Sequence, residues 1–167
     1  DARSLPFADA SFDAALLLGP LYHLSERADR IAALREAARI CRPGGLVAAA
    51  AISRYAPVLD MLRRGSSVSD QAFANAQAEA RSGRRVPVDR RTSPFPDAYF
   101  HRPDELAAEL AEAGFEVEVV YGIEGPGWLL HELDAVWREP ALKERILSAA
   151  RTLKTEPHLL AMSAHLL

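Results

Sequence analysis

The chain has 167 residues, 49% hydrophobic and 26% charged, with a formal net charge of -3, which is enough for one domain with its own core and too little for two. The near-balanced charge lacks the broad basic field that a nucleic-acid partner requires. No apolar stretch reaches the about 18 residues of a membrane span, no signal peptide precedes the first strand, and the single cysteine, Cys41, excludes an internal disulfide, so a cytoplasmic protein is expected.

In chain order, the apolar run Phe12 to Leu18, closed by Gly19 and Pro20, predicts a strand buried on both faces. Ser25 is the expected N-cap of an amphipathic helix, in which Ile31, Leu34, Ala38 and Cys41 recur at helical spacing until Pro43-Gly44-Gly45 stops the pattern. Cys41 reads there as a small buried hydrophobe. Leu46 to Ile52 is a second apolar run, and strand, helix, strand with short joints is a βαβ unit of a parallel sheet.

Two helices follow, Tyr55 to Arg64 and Ser69 to Arg81, and then a loop from Gly83 to Pro96. Residues 54–99 thus read as a helical and loop insertion, and loops at the carboxyl edge of a parallel sheet can wall a substrate crevice. The cluster Arg81, Arg84, Arg85, Arg90 and Arg91 is expected to be a solvated loop rather than an anion site. A further helix starts at Pro103, with Asp104 and Glu105 suiting its positive end, and stops at Gly114. Alternation from Phe115 to Tyr121 predicts a strand near an edge. Gly125-Pro126-Gly127 is a turn, helices are expected over Leu129 to Trp137 and Ala141 to Leu153, and Leu159 to Leu167 reads as a closing strand.

Three ordered segments carry a family likeness. Asp1-Ala2-Arg3-Ser4-Leu5-Pro6-Phe7 through Ser11-Phe12-Asp13, then Leu21-Tyr22-His23-Leu24, then Cys41-Arg42-Pro43-Gly44-Gly45-Leu46 resemble class I S-adenosylmethionine-dependent methyltransferases. Phe100-His101-Arg102-Pro103, Ala113-Gly114-Phe115 and the final Ser163 to Leu167 add weaker matches. The resemblance implies an α/β, Rossmann-like sheet, present here in part as its C-terminal strands with flanking helices and the helical insertion. Residues 1–167 would then form a partial methyltransferase domain. No G-x-G-x-x-G occurs, and two βα units of the family, roughly 60 residues, are expected to lie upstream. The chain alone is expected to bind cofactor poorly, and the run Phe12 to Leu18 to present an apolar edge.

The resemblance also implies site roles. An acidic residue in a loop at the carboxyl end of a parallel strand can accept from an adenine amino group. That role passes to Asp1, with the Ala2 amide donating to the ring nitrogen beside it. Leu18 and Gly19 would hold the methionine end of S-adenosylmethionine through their backbone, glycine permitting close approach. Tyr22 and His23 follow where the reactive methyl would point. His23 is the candidate general base, the alternative being a hydrogen-bonding residue of the pocket wall. Tyr99, Phe100 and His101 are the candidate acceptor-lining residues, against a buried structural role. Leu5-Pro6-Phe7 and Phe12 read as packing elements that seal the sheet. His131, His158 and His165 lack neighbours at ligand spacing, so no metal is expected.

The implied activity is methyl transfer to a small-molecule acceptor by in-line displacement. Its main demand is positioning, worth roughly 7 to 11 kcal/mol in favourable systems. A non-catalytic binding or scaffold subunit of the same fold is the alternative. An oxidoreductase fits the first segments less well, and an α/β hydrolase lacks its G-x-S-x-G elbow. The acceptor and the oligomeric state are not encoded in any motif.

Overall fold

A computed structural model describes residues 1–86 and 97–167. The expected βαβ unit is present. Strand β1 (Phe12–Leu17) pairs in parallel with β2 (Cys41–Ala49), and α2 (Arg27–Ile40) crosses between them after the short helix α1 (Pro20–His23), which Pro20 opens at a position where its missing N–H costs nothing. Residue Glu26, not Ser25, stands at the N-cap of α2.

Cys41 leaves the helical pattern: it caps α2 and begins β2, buried as expected. The strand therefore starts before Pro43-Gly44-Gly45, and those residues form a bulge, since Phe12 pairs with Cys41 whereas Ala14 pairs with Leu46. Gly44 has φ +78°, and a β-carbon on Gly45 would stand 2.9 Å from the carbonyl oxygens of Arg42 and Asp13. A local turn signal here bends a strand instead of preceding it.

The line continues as β3 (Ala51–Ser53), parallel to β4 (Phe100–His101) and antiparallel to β5 (His165–Leu166). Between β3 and β4 stand α3 (Ala56–Arg64) and α4 (Asp70–Ser82), close to their expected limits. The Ser69 hydroxyl accepts the Ala72 amide as N-cap, and Gly83 closes α4 in the left-handed conformation at φ +75°. Helix α5 (Pro103–Glu112) follows, then α6 (Leu133–Arg138) and α7 (Pro140–Leu153). Leu17, Leu21, Leu34, Ala37, Ala49, Ala51, Leu106, Leu160 and Leu166 make one core, where α2 and α5 cover the sheet.

Further expectations need correction. The first strand is not buried on both faces: Leu17 is enclosed, but Leu16, which alternation turns to the opposite face, is 68% exposed. Among the described residues β1 is hydrogen-bonded on one side only, which leaves the anticipated edge. Phe7 and Phe12 do not seal the sheet but pack edge-to-face on each other at 5.0 Å, each partly exposed.

Residues 115–120 form no paired strand. Tyr121 alone exchanges both backbone hydrogen bonds with Leu167, at 2.7 and 3.0 Å, since the closing strand has shrunk to β5 behind a 3-10 turn, Leu160–Met162. The Gly125 turn is likewise a 3-10 segment, Gly125–Leu129, so α6 starts later than the apolar spacing suggests. Finally, Arg84 is not merely solvated, as it pairs with Glu26 at 2.7 Å, and Arg85 faces Glu79. Arg90, Arg91 and most of the expected loop Gly83 to Pro96 lie outside the described residues.

Candidate functional site

The relation between Asp1-Ala2 and Leu18-Gly19 follows from the path of α2. Its last residue, Ile40, is next to Cys41, which pairs with the start of β1. Its 14 residues run back about 21 Å at 1.5 Å each, so its first turn stands at the edge where β1 ends. The N-terminal segment lies along the same helix: Ser11 N–H donates to the Ile40 carbonyl at 2.8 Å at one end, and Arg3 Nη1 reaches Asp29 at 2.9 Å at the other. Asp1, whose carboxylate takes three hydrogen bonds from Arg3 at 2.6 to 3.0 Å, is therefore at the edge of Leu18 and Gly19. Two loops separated in sequence meet one edge of a parallel pair, where such sheets bind nucleotides.

At the tip of β1 the Leu18 carbonyl accepts the Tyr22 hydroxyl at 2.9 Å. The Tyr22 and His23 rings lie 4.7 Å apart, tilted by 56°, and His23 is exposed. Tyr22 is fixed from the opposite side too, as its carbonyl accepts the Tyr99 amide at 2.9 Å. This contact brings the two predicted groups, Tyr22-His23 and Tyr99-Phe100-His101, together.

Strand alternation then divides the second group. His101 is fully buried, with Nε2 3.2 Å from Glu109 Oε2, while its Nδ1 is buried with no hydrogen-bond partner among the described residues. Glu109 also receives three bonds from Arg30, at 2.6, 2.9 and 3.2 Å, and Arg30 Nη1 donates to the Leu24 and Ser25 carbonyls, each at 3.0 Å. The Arg30 guanidinium lies 3.6 Å from the centroid of the Tyr99 ring, which meets the His101 ring edge-on at 4.7 Å. Burial by itself raises the Glu109 carboxyl, but the bonds from His101 and Arg30 outweigh it and bring it down to about 2. A second buried arginine, Arg54 at the end of β3, binds Glu105 at 2.5 Å, the Phe100 carbonyl at 2.7 Å and the Tyr99 hydroxyl at 3.2 Å. Arg30 thus fastens the segment after His23, and Tyr99 fastens Tyr22.

Phe100 turns the other way, into a cavity of about 450 Å3 between β3, α3 and α4. Ile52, Met61 and Trp128 give it apolar walls, and Asp60, Glu79, Arg85 and His165 bring charge to it. Of the three predicted acceptor residues, Phe100 alone lines this space.

Arg30, Arg54, Glu79, Glu105 and Glu109 are absent from the sequence-based candidates, because a charged side chain ordinarily reads as a solvated face. A signal existed. Glu109 stands three residues after Leu106 and four before Ala113, and Arg30 stands three and four residues before Ala33 and Leu34, so both carry charge on the buried stripe. Among the described residues no group of His, Cys, Asp and Glu could hold a metal ion, and no helix is long and apolar enough to cross a membrane.

Comparison with known proteins adds the following. Residues 1–49 match the methyltransferase domain family model. The chain is 30% identical over 128 residues to a demethylmenaquinone methyltransferase of Mycobacterium sp. (strain KMS), covering 77% of this chain and 47% of that protein. It is 37% identical over 127 residues to the demethylmenaquinone methyltransferase of Roseiflexus castenholzii, covering 76% and 50%. Among solved structures it resembles a SAM-dependent methyltransferase from Methanosarcina mazei with a TM-score of 0.53 at 19% identity, over 72% of this chain and 54% of that one. The chain spans about half the length of the curated relatives it matches.

Proposed function

Starting from the class I S-adenosylmethionine-dependent methyltransferase fold to which this chain belongs, we propose that it forms the acceptor half of an enzyme that methylates a small molecule. The carrying observation is the common edge of Asp1-Ala2 and Leu18-Gly19, both within the segment 1–49 that matches the methyltransferase model. Asp1 and Ala2 take the adenine, Leu18 and Gly19 the amino-acid end, and Tyr22 and His23 border the methyl. The cofactor supplies an activated methyl on sulfur, so the chain's own residues need only hold and orient the acceptor, exclude water and receive a proton.

The two relatives' names, demethylmenaquinone methyltransferase, support a quinone-type ring acceptor, and the cavity beside Phe100 has apolar walls suited to a ring. His23, exposed beside Tyr22, is the candidate proton acceptor.

The test is a nuclear magnetic resonance titration of the protein with millimolar S-adenosylmethionine, followed by assay of labelled methyl transfer to naphthalene diols. Shifts confined to Asp1, Ala2, Leu18, Gly19 and their neighbours are expected. Binding that perturbs other surfaces and leaves these amides unmoved would overturn the assignment.

A further inference from the structure

The cavity beside Phe100 carries more information than its size. At about 450 Å3 it falls within the roughly 300 to 1,000 Å3 of small-molecule sites, and the partners of its polar groups can be followed one at a time. The Asp60 carboxylate is taken by Arg63 at 2.7 Å and faces Arg64 at 3.8 Å. His165 is held by Glu124 at 2.5 Å, and the Trp128 indole N–H donates to the Met162 carbonyl at 2.8 Å. Each of these groups has a hydrogen-bond partner within the protein, as has Asn75, whose Oδ1 accepts from Gln71 at 2.9 Å.

Glu79 and Arg85 differ. Glu79 is 5% exposed, and its Oε1 accepts the Val86 amide at 3.1 Å. Arg85 Nε stands 3.5 Å from the same oxygen, is buried, and has no hydrogen-bond partner among the described residues. A buried donor without an acceptor costs about 1 to 3 kcal/mol, and the carboxylate beside it accepts but does not donate. Burial pushes the Glu79 carboxyl up, against the pull of Arg85 and the Val86 amide, as expected of an incompletely neutralised charge.

We infer that this cavity binds a ring-bearing molecule through a hydroxyl group that donates to Glu79 and accepts from Arg85 Nε. A hydroxyl both donates and accepts through one atom, so it satisfies the orphaned donor and the carboxylate together. An ether oxygen only accepts, and an ammonium group only donates. The ring lies against Phe100, Trp128 and Ile52, which supply apolar contact with little to order. This rests on the small-molecule reading above and adds the chemical group that is recognised and the residues that recognise it.

The protein has two tryptophans, and only Trp128 lines the cavity, so its indole N–H resonance is the reporter and that of Trp137 the internal control. The probes are 1-naphthol and its isosteric methyl ether, 1-methoxynaphthalene, titrated without cofactor. The naphthol is expected to shift Trp128 and to bind at least about tenfold more tightly than the ether, a margin of one good buried hydrogen bond. Glu79→Leu, which removes the acceptor, should erase most of that preference while leaving the ether's affinity unchanged, and Ala76→Leu, which fills the space, should abolish both. Equal affinities for the two probes, a preference that survives Glu79→Leu, or an unmoved Trp128 would each overturn the inference. Because no methyl donor is present, such a failure stays distinct from a failure of cofactor binding at Leu18 and Gly19.

Discussion

The Tyr22 hydroxyl donates to the Leu18 carbonyl at 2.9 Å, tying the first helical turn after β1 to the tip of the strand it leaves. A carbonyl has two acceptor positions, so under the proposed cofactor role Tyr22 orients the Leu18 carbonyl without excluding a ligand. Tyr22→Phe is expected to cost no more than about 1 kcal/mol of stability and to weaken the cofactor-induced shifts at Leu18 and Gly19. Thermal denaturation and the cofactor titration measure the two effects separately. An unchanged titration would detach the hydroxyl from the site.

Arg30 and Glu109 form a buried ion pair with side chains 1% and 3% exposed. Removing one partner leaves an uncompensated buried charge, so Glu109→Ala should cost about 3 to 5 kcal/mol. The double variant Arg30→Met, Glu109→Leu should recover much of that loss, because both desolvation costs vanish together. Urea denaturation of the three proteins measures the difference, and a double variant no more stable than Glu109→Ala would argue against this account.

The same carboxyl sets an acid limit. Glu109 is lowered from 4.5 to about 2 in the folded chain, so its contribution is complete above about 4.5 and is lost as pH falls from there toward about 2. The loss should reach up to about 3 kcal/mol. Glu109→Gln should flatten this part of the stability profile, and a profile as steep in the variant would assign the acid transition to other carboxylates.

Gly83 meets two demands at once. It caps α4 at φ +75°, and a β-carbon there would overlap the Arg54 guanidinium, which cannot retreat freely because Glu105 and the Phe100 carbonyl hold it. Gly83→Ala is therefore expected to cost more than the roughly 1 kcal/mol of left-handed backbone strain, reaching about 2 to 3 kcal/mol. With Arg54→Ala in the background the penalty should fall toward the backbone cost alone, as a double-mutant thermal-stability cycle would measure.

Much of the frame was readable before any coordinates. The βαβ unit, the helices after β3 and the Pro103 helix are written in apolar spacing, proline entry and glycine exit, all of which act within a few residues. The alternating stretch from Phe115 to Tyr121 failed as a paired strand because pairing depends on its neighbour, and that neighbour offers two residues. Pro43-Gly44-Gly45 was misread for a related reason: the residues of a turn also serve a bulge, and only the facing strand decides which. Motif likeness could nominate Asp1, Ala2, Leu18 and Gly19 as the proposed cofactor edge, whereas no motif nominated the buried Arg30, Arg54, Glu79 and Glu109.

By itself the sequence determined the parallel βαβ frame and the strand-end loops, since periodicity and turn chemistry are local and survive in any context. Only the tertiary structure decided that two arginines and two glutamates are interior, that His101 faces Glu109 while Phe100 faces the cavity, and that Glu79 meets Arg85. The reason is electrostatic: a charge is stable inside only beside its partner, and the partner of Arg30 lies 79 positions away, brought near only when α2 and α5 pack on the sheet.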